Sequence, residues 1–333
     1  MVNNRGVLWA ARWGLLCLAV ALGLCGCEGG QSSLPGISGA PGQVLVVSTV
    51  PVKDSPLGDT LRAILGAEYP YIPQSEPSFD LSFITESAFE NVLRPFRNIV
   101  WVQTHPDSAC RIRVAENRWA QSQVVLYVLG PDHNAVAAYI GEHREVLYQT
   151  LARAERMRLA RANRASRQEE LCGFLRSKHG VELVVPKTYA LRADKPGFTW
   201  LSVETKDISQ GLFVYTWRNW GQPFSVDTLM AHRNWYTLRY VPGPNDGTYM
   251  EVSTVVPPEA TLLRMGGDTL LRVRGFWEVH GHAMGGAFVS YSQLVAGGDS
   301  VRTTEGYIYA PSKRKREYMR QLEAILLSQL GNE

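Results

Sequence analysis

Apolar and polar positions follow different periods in the two halves of this chain. The first half opens on Val44-Leu45-Val46-Val47, a short apolar run rich in β-branched residues that predicts a buried strand. Leu57, Leu61, Ile64 and Leu65 then share one face of a short helix over 57–65. Pro70, Pro73 and Pro77 mark an irregular connection, and further strands are predicted at 79–84, 99–103 and 124–129. Gly130-Pro131-Asp132 breaks the pattern, with Asp132 placed to cap the next helix. That helix is predicted to be long, because Val136, Ile140, Leu147, Leu151, Ala154 and Met157 form one apolar face. Arg153, Arg156, Arg158, Arg161, Arg164 and Arg167 gather towards its end, either as a solvated connector or as a surface for anionic headgroups or acidic glycan. A second helix is expected over 168–179, closed by Gly180.

From Val184 onward the pattern turns to strands, at 189–191, 198–203 and 212–217. A helix over 225–240 follows, with Ser225 as its cap, and then strands at 249–256, 270–279, 287–295 and 301–309. The closing helix, 312–330, has Tyr318, Leu322, Ile325 and Leu326 as its buried stripe. Short links such as Gly297-Gly298-Asp299 make the sheet antiparallel. The expected class is α+β: an N-terminal α/β part joined by long helices to an antiparallel sheet with covering helices, in an order like a PsbP-like sandwich. The expected divisions are a signal peptide over 1–26, a tether over 27–41, an N-terminal part with helical connector over 42–183, and an antiparallel part over 184–333.

The first residues carry an address. Arg5 and Arg12 precede an apolar stretch over 13–24, which as a helix spans about 18 Å against the roughly 30 Å of a bilayer core. A cleavable signal fits better than a membrane span. Leu24-Cys25-Gly26-Cys27 resembles a bacterial lipobox, with Cys27 as the acylated residue and Cys25 an unusual occupant of the middle position. The stretch after it is rich in Gly, Ser and Pro without apolar periodicity, so it reads as a flexible leash with a reach of about 20 Å.

Composition adds exclusions. The 333 residues are 45% hydrophobic and 20% charged, which excludes a disordered or collagen-like chain. Formal net charge is +3, and loss of Arg5 and Arg12 brings basic and acidic residues almost level, so no nucleic-acid partner is expected. Of five cysteines, Cys110 and Cys172 remain in the body. They are expected as two buried thiols, with a disulfide as the alternative that an oxidising compartment allows.

Several segments carry a family resemblance: Leu57-Gly58-Asp59-Thr60-Leu61-Arg62, Ser75-Glu76-Pro77-Ser78-Phe79-Asp80-Leu81, Phe96-Arg97-Asn98-Ile99-Val100, Tyr240-Val241-Pro242-Gly243-Pro244, Arg274-Gly275-Phe276-Trp277, Met284-Gly285-Gly286-Ala287-Phe288-Val289-Ser290-Tyr291 and Glu305-Gly306-Tyr307-Ile308-Tyr309-Ala310-Pro311, with the helix from Arg316 to Leu326. Together they resemble the Bacteroidota lipoproteins grouped as domain of unknown function 4837, from about Gly42 to the last helix. The resemblance implies an envelope lipoprotein, by default at the outer membrane with its body in the periplasm. It brings no activity, cofactor or catalytic residue.

Few constellations promise chemistry. Glu278-x-His280-x-His282 would place two imidazoles on one strand face, but a metal would need a third ligand, for which His232 is the only suggestion. A solvated strand end is the expected reading, with no metal. Ser312-x-x-Lys315 has the spacing of a penicillin-binding nucleophile without its partner motifs, so Ser312 is expected to cap the last helix. Lys313, Arg314, Lys315 and Arg316 oppose that helix's dipole, so they form either a mobile lead-in or a contact for an acidic partner. Trp220, Trp235 and Tyr291 are the candidate rim residues for a ligand. No phosphate loop, dinucleotide fingerprint, nucleophile elbow or zinc motif is present, so no cofactor is expected. The expected function is a non-enzymatic binding or scaffolding component of the envelope, with a protein or glycan partner. The alternative is an envelope enzyme acting on peptidoglycan or glycan, since paired carboxylates leave little local signature.

Overall fold

The computed structural model describes residues 34–265 and 267–331, so the expected signal peptide, Cys27 and the start of the tether lie outside the described residues. Among the described residues no helix is long and apolar enough to cross a membrane.

The first lobe is built from β1 (Gln43–Ser48), α1 (Pro56–Leu65), β2 (Asp80–Thr85), β3 (Asn98–Thr104), β4 (Arg111–Glu116) and β5 (Val124–Gly130), followed by α2 (His133–Glu142) and α3 (Arg144–Ala165). The sheet runs β2-β1-β3-β5-β4, parallel except for the β4–β5 pair. β1 is covered on both sides, as its continuous apolar run predicts. Val44 and Val46 meet α1, α2 and α3, while Leu45 and Val47 meet Ile99, Val125 and an aromatic group around Trp101. β4 escapes the apolar pattern because it is an edge strand whose arginines are exposed. Asp132 caps α2 as expected, its Oδ1 accepting from Asn134 N at 2.8 Å and Ala135 N at 2.9 Å. The one long helix of the sequence reading is two, however. The break falls at His143, whose backbone (φ −103°, ψ 26°) leaves the helical region, with its ring Nδ1 2.8 Å from Tyr139 O.

The second lobe comprises α4 (Glu169–His179), β6 (Ala190–Lys195), β7 (Phe198–Glu204), β8 (Ser209–Arg218), α5 (Val226–Tyr240), β9 (Met250–Val252), β10 (Glu259–Met265), β11 (Asp268–Val279), β12 (His282–Val295), β13 (Ser300–Tyr309) and α6 (Arg316–Leu326). Its sheet runs β10-β11-β12-β13-β8-β7-β6, antiparallel throughout, with β9 beside β11. The expected α+β class is observed. Period-2 alternation supplies two buried faces. Leu212, Val214, Ala287 and Val289 pack on α4 and α6, while Phe213, Tyr215, Trp277 and Phe288 pack on α5. Cys172 is buried in the first of these cores, Cys110 is partly buried in the other lobe, and both are free thiols. The strand expected over 249–256 is only β9, because Val255 and Val256 are exposed in a loop before β10.

The start of α6 corrects one expectation and shows what surrounds the basic cluster. Ser312 does not cap it; the carboxylate of Glu76, from the first lobe, does. Glu76 Oε1 accepts from Lys315 N at 2.5 Å and Oε2 from Arg316 N at 3.2 Å. The helix starts only at Arg316, so Lys313, Arg314 and Lys315 form a lead-in to it, and acidic residues of this chain offset the cluster. Arg314 reaches Asp80 and Glu76, Arg316 reaches Asp80 at 2.8 Å, Lys315 Nζ donates to Gln74, and Lys313 lies 3.9 Å from Asp207. Burial would raise the Asp80 carboxyl, but hydrogen bonds from Arg316 and Arg314 outweigh it and hold the group below its usual range. Glu76→Ala is therefore expected to lower stability by about 2–3 kcal/mol, read from urea unfolding, because it leaves a buried helix end unsatisfied. Glu76→Gln, which keeps one acceptor, should lose less; equal losses would refute the capping account.

Candidate functional site

The two lobes leave between them a cavity of about 390 Å³. The first lobe contributes Tyr69, on the proline-rich connection, and Tyr148, Gln149, Ala152 and Arg156, which share one face of α3. From the second lobe come Arg272 and Arg274, alternate residues on β11, and Tyr291, opposite Arg272 on β12. Arg320 and Glu323, one turn apart on α6, complete it.

Four guanidinium groups thus face one carboxylate. Arg274 Nη2 is 2.5 Å from Glu323 Oε1, and Tyr69 OH donates to Glu323 Oε2 at 3.2 Å. Burial pushes the Glu323 carboxyl up, but the charge and hydrogen bond of Arg274, then Arg272 and Tyr69, outweigh burial and keep it low and ionised. Arg320 donates to Glu317 Oε1 at 2.9 Å and to Ser78 O, and its guanidinium lies 4.6 Å above the Phe79 ring. Arg272 Nη2 donates to Thr261 Oγ1 at 3.2 Å, a neutral partner. Burial and the nearby Glu323 raise the Tyr291 phenol, which stays protonated as a donor at neutral pH. The arrangement is equipped to bind anions. Glu323, the carboxylate in this lining, is held by Arg274.

The candidates from sequence do not converge on one site. Tyr291 is no rim residue: at 2% exposure it forms part of the cleft wall, because its register on β12 turns it inward under α6. Trp220 and Trp235 are exposed, at 73% and 45%, on the α5 side of the sheet, with Arg218 and Arg239 over their rings. His280 and His282 do not share a strand face, since β11 ends at Val279 and the chain turns through Gly281 at φ 75°. His280 Nδ1 instead lies 3.1 Å from Glu251, and its ring stacks on Tyr249. No group of three or more metal-ligating side chains that could hold an ion occurs among the described residues. Within the arginine-rich helix, Arg158 is held by Glu155, Asn98 Oδ1 and Arg97 O, while Arg156 lines the inter-lobe cleft. A further cavity of about 380 Å³ lies on the α5 face among Trp200, Trp277, Tyr307 and Tyr309.

Residues 169–328 match the family model described as Domain of unknown function (DUF4837). The second lobe matches a domain of unknown function. Residues 37–164, the first lobe, match a separate one, Domain of unknown function (DUF8532). The resemblance expected from Gly42 to the last helix is therefore matched over the second lobe, and the first has its own pattern. No curated protein matches the chain. Among solved structures, the STAR-related lipid transfer protein (fragment 25-204) from Xanthomonas axonopodis aligns at 12% identity over 43% of this chain and 97% of that chain, with a TM-score of 0.21. Similarity at that level establishes neither a shared fold nor a shared ligand.

Proposed function

We propose that this chain is a non-enzymatic binding protein of the cell envelope, anchored at the outer membrane through acylated Cys27, with the inter-lobe cleft as its ligand site. The observation that carries the binding role is the cleft itself, where Arg156, Arg272, Arg274 and Arg320 face the single carboxylate of Glu323. Clefts between packed lobes are a preferred place for ligands. The lipobox at Leu24–Cys27 and the polar leash after it support the anchor.

Two measurements test this. Cys27→Ser is expected to move the protein from the membrane fraction to the soluble one and to abolish palmitate labelling; a variant that stays membrane-bound and labelled refutes the anchor. For the cleft, a photo-crosslinking residue placed at Gln149 is expected to capture an envelope component in cells. Capture no greater than from the same residue at exposed Trp220 refutes the site.

A further inference from the structure

Resting on the cleft as the ligand site, we infer that its ligand is phosphorylated: a phosphate or pyrophosphate group is held between the lobes, with Arg272 as its principal contact. The charges are distributed unevenly. Arg274 is neutralised by Glu323, and Arg320 is shared with Glu317. Arg272 extends from the middle of β11 to a neutral hydroxyl, half-buried, so its charge is not cancelled by a hydrogen-bonded acid. A half-desolvated guanidinium of this kind attracts an anion more strongly than an exposed one does, because water screens it less.

The type of anion follows from the donors. A guanidinium offers a planar fork that meets two oxygens of one anion, and Arg156 lines the same cleft from the opposite lobe. Tyr291 sits directly across from Arg272 on the neighbouring strand with its phenol protonated. Donors converging from both lobes suit the several oxygens of a phosphate or pyrophosphate better than the two of a carboxylate. Leu263 and Leu327 give the lining an apolar part for the body that carries the phosphate.

Isothermal titration of the full protein with inorganic pyrophosphate tests this, with citrate as a carboxylate of similar charge. The expected result is measurable pyrophosphate binding that exceeds citrate binding about tenfold and weakens about tenfold or more in Arg272→Gln. Arg218→Gln, an arginine outside the cleft, should bind as the parent does, and a thermal melt checks that Arg272→Gln folds. Vesicles of phosphatidylcholine with and without phosphatidic acid distinguish the sources. Co-sedimentation that needs phosphatidic acid and Arg272 identifies a lipid-borne phosphate, and pyrophosphate binding without it identifies a soluble one. Citrate binding equal to pyrophosphate, or Arg272→Gln binding like the parent, overturns the phosphate assignment. If Gln149 crosslinking still captures a component, the cleft stands with another ligand class; if both fail, the cleft falls as well.

Discussion

Arg233→Met is expected to destabilise the second lobe by about 3–5 kcal/mol, the usual cost of stranding one member of a buried ion pair. Arg233 on α5 and Glu305 on β13 are both fully buried, and Arg233 Nε lies 2.9 and 3.1 Å from the two carboxylate oxygens. Tyr215 OH adds a hydrogen bond to Oε2 at 3.3 Å, and the guanidinium rests 4.5 Å above the Phe288 ring. Burial pushes the Glu305 carboxyl up against the opposing pull of Arg233, so removing the arginine raises it further. An acid whose folded pKa lies above its unfolded one must keep or take up a proton to fold. The variant's deficit is therefore largest at neutral pH and shrinks as pH falls towards about 4. Urea midpoints at pH 7 and pH 5 should show that convergence. The double variant Arg233→Met with Glu305→Leu leaves no unpaired charge and should recover most of the loss. A double variant as unstable as the single one would place the cost in packing instead.

Glu155→Gln should have a comparable effect in the first lobe, about 3 kcal/mol. Glu155, 2% exposed on α3, accepts from Arg97 Nε and Nη2 at 2.9 and 2.7 Å, from Asn98 Nδ2 at 2.8 Å and from Gly42 N at 3.3 Å. Arg158 lies 3.0 Å away. One carboxylate thus ties a helix to the beginnings of β1 and β3. Glutamine keeps the shape but leaves two largely buried guanidinium groups without their counter-charge. Burial would raise the Glu155 carboxyl, yet Arg158, Arg97 and Asn98 outweigh it and hold it below its usual range. For an acid depressed in this way, the stabilisation is complete above the unfolded pKa of about 4.3 and is lost as pH falls through the lower folded value. Parent and variant should therefore differ most at neutral pH and approach each other below about pH 4. Parallel curves down to pH 2 would contradict the assignment.

Most elements were legible in the sequence because their periodicity reports burial directly: the doubly covered β1, the Asp132 and Ser225 caps, and Gly180 in the left-handed region at φ 64°. What escaped depends on contacts between distant segments. β4 and β10 are sheet edges, so neither needs an uninterrupted apolar run. Arg272 and Arg274 alternate with apolar neighbours as a solvent face does, yet that face looks onto the other lobe. Glu323 and Arg320 look like ordinary polar positions on an amphipathic helix. Nothing local marks Glu76 as the cap of a helix some 240 positions later. Residue type alone suggests Tyr291 as a ligand contact, and only its register shows that it belongs to the cleft wall.

The pairing of β13 with both β8 and β12 sets a timetable for synthesis. This strand lies in the middle of its sheet although it is the last one translated. While residues 300–309 are still in the ribosome, β8 and β12 each offer an open edge, and α6 does not yet exist to cover their apolar face. The first lobe, complete by Ala165, has by then already placed Glu76 to receive the final helix. The interval between these two events is when a nascent chain of this design is most in need of a chaperone.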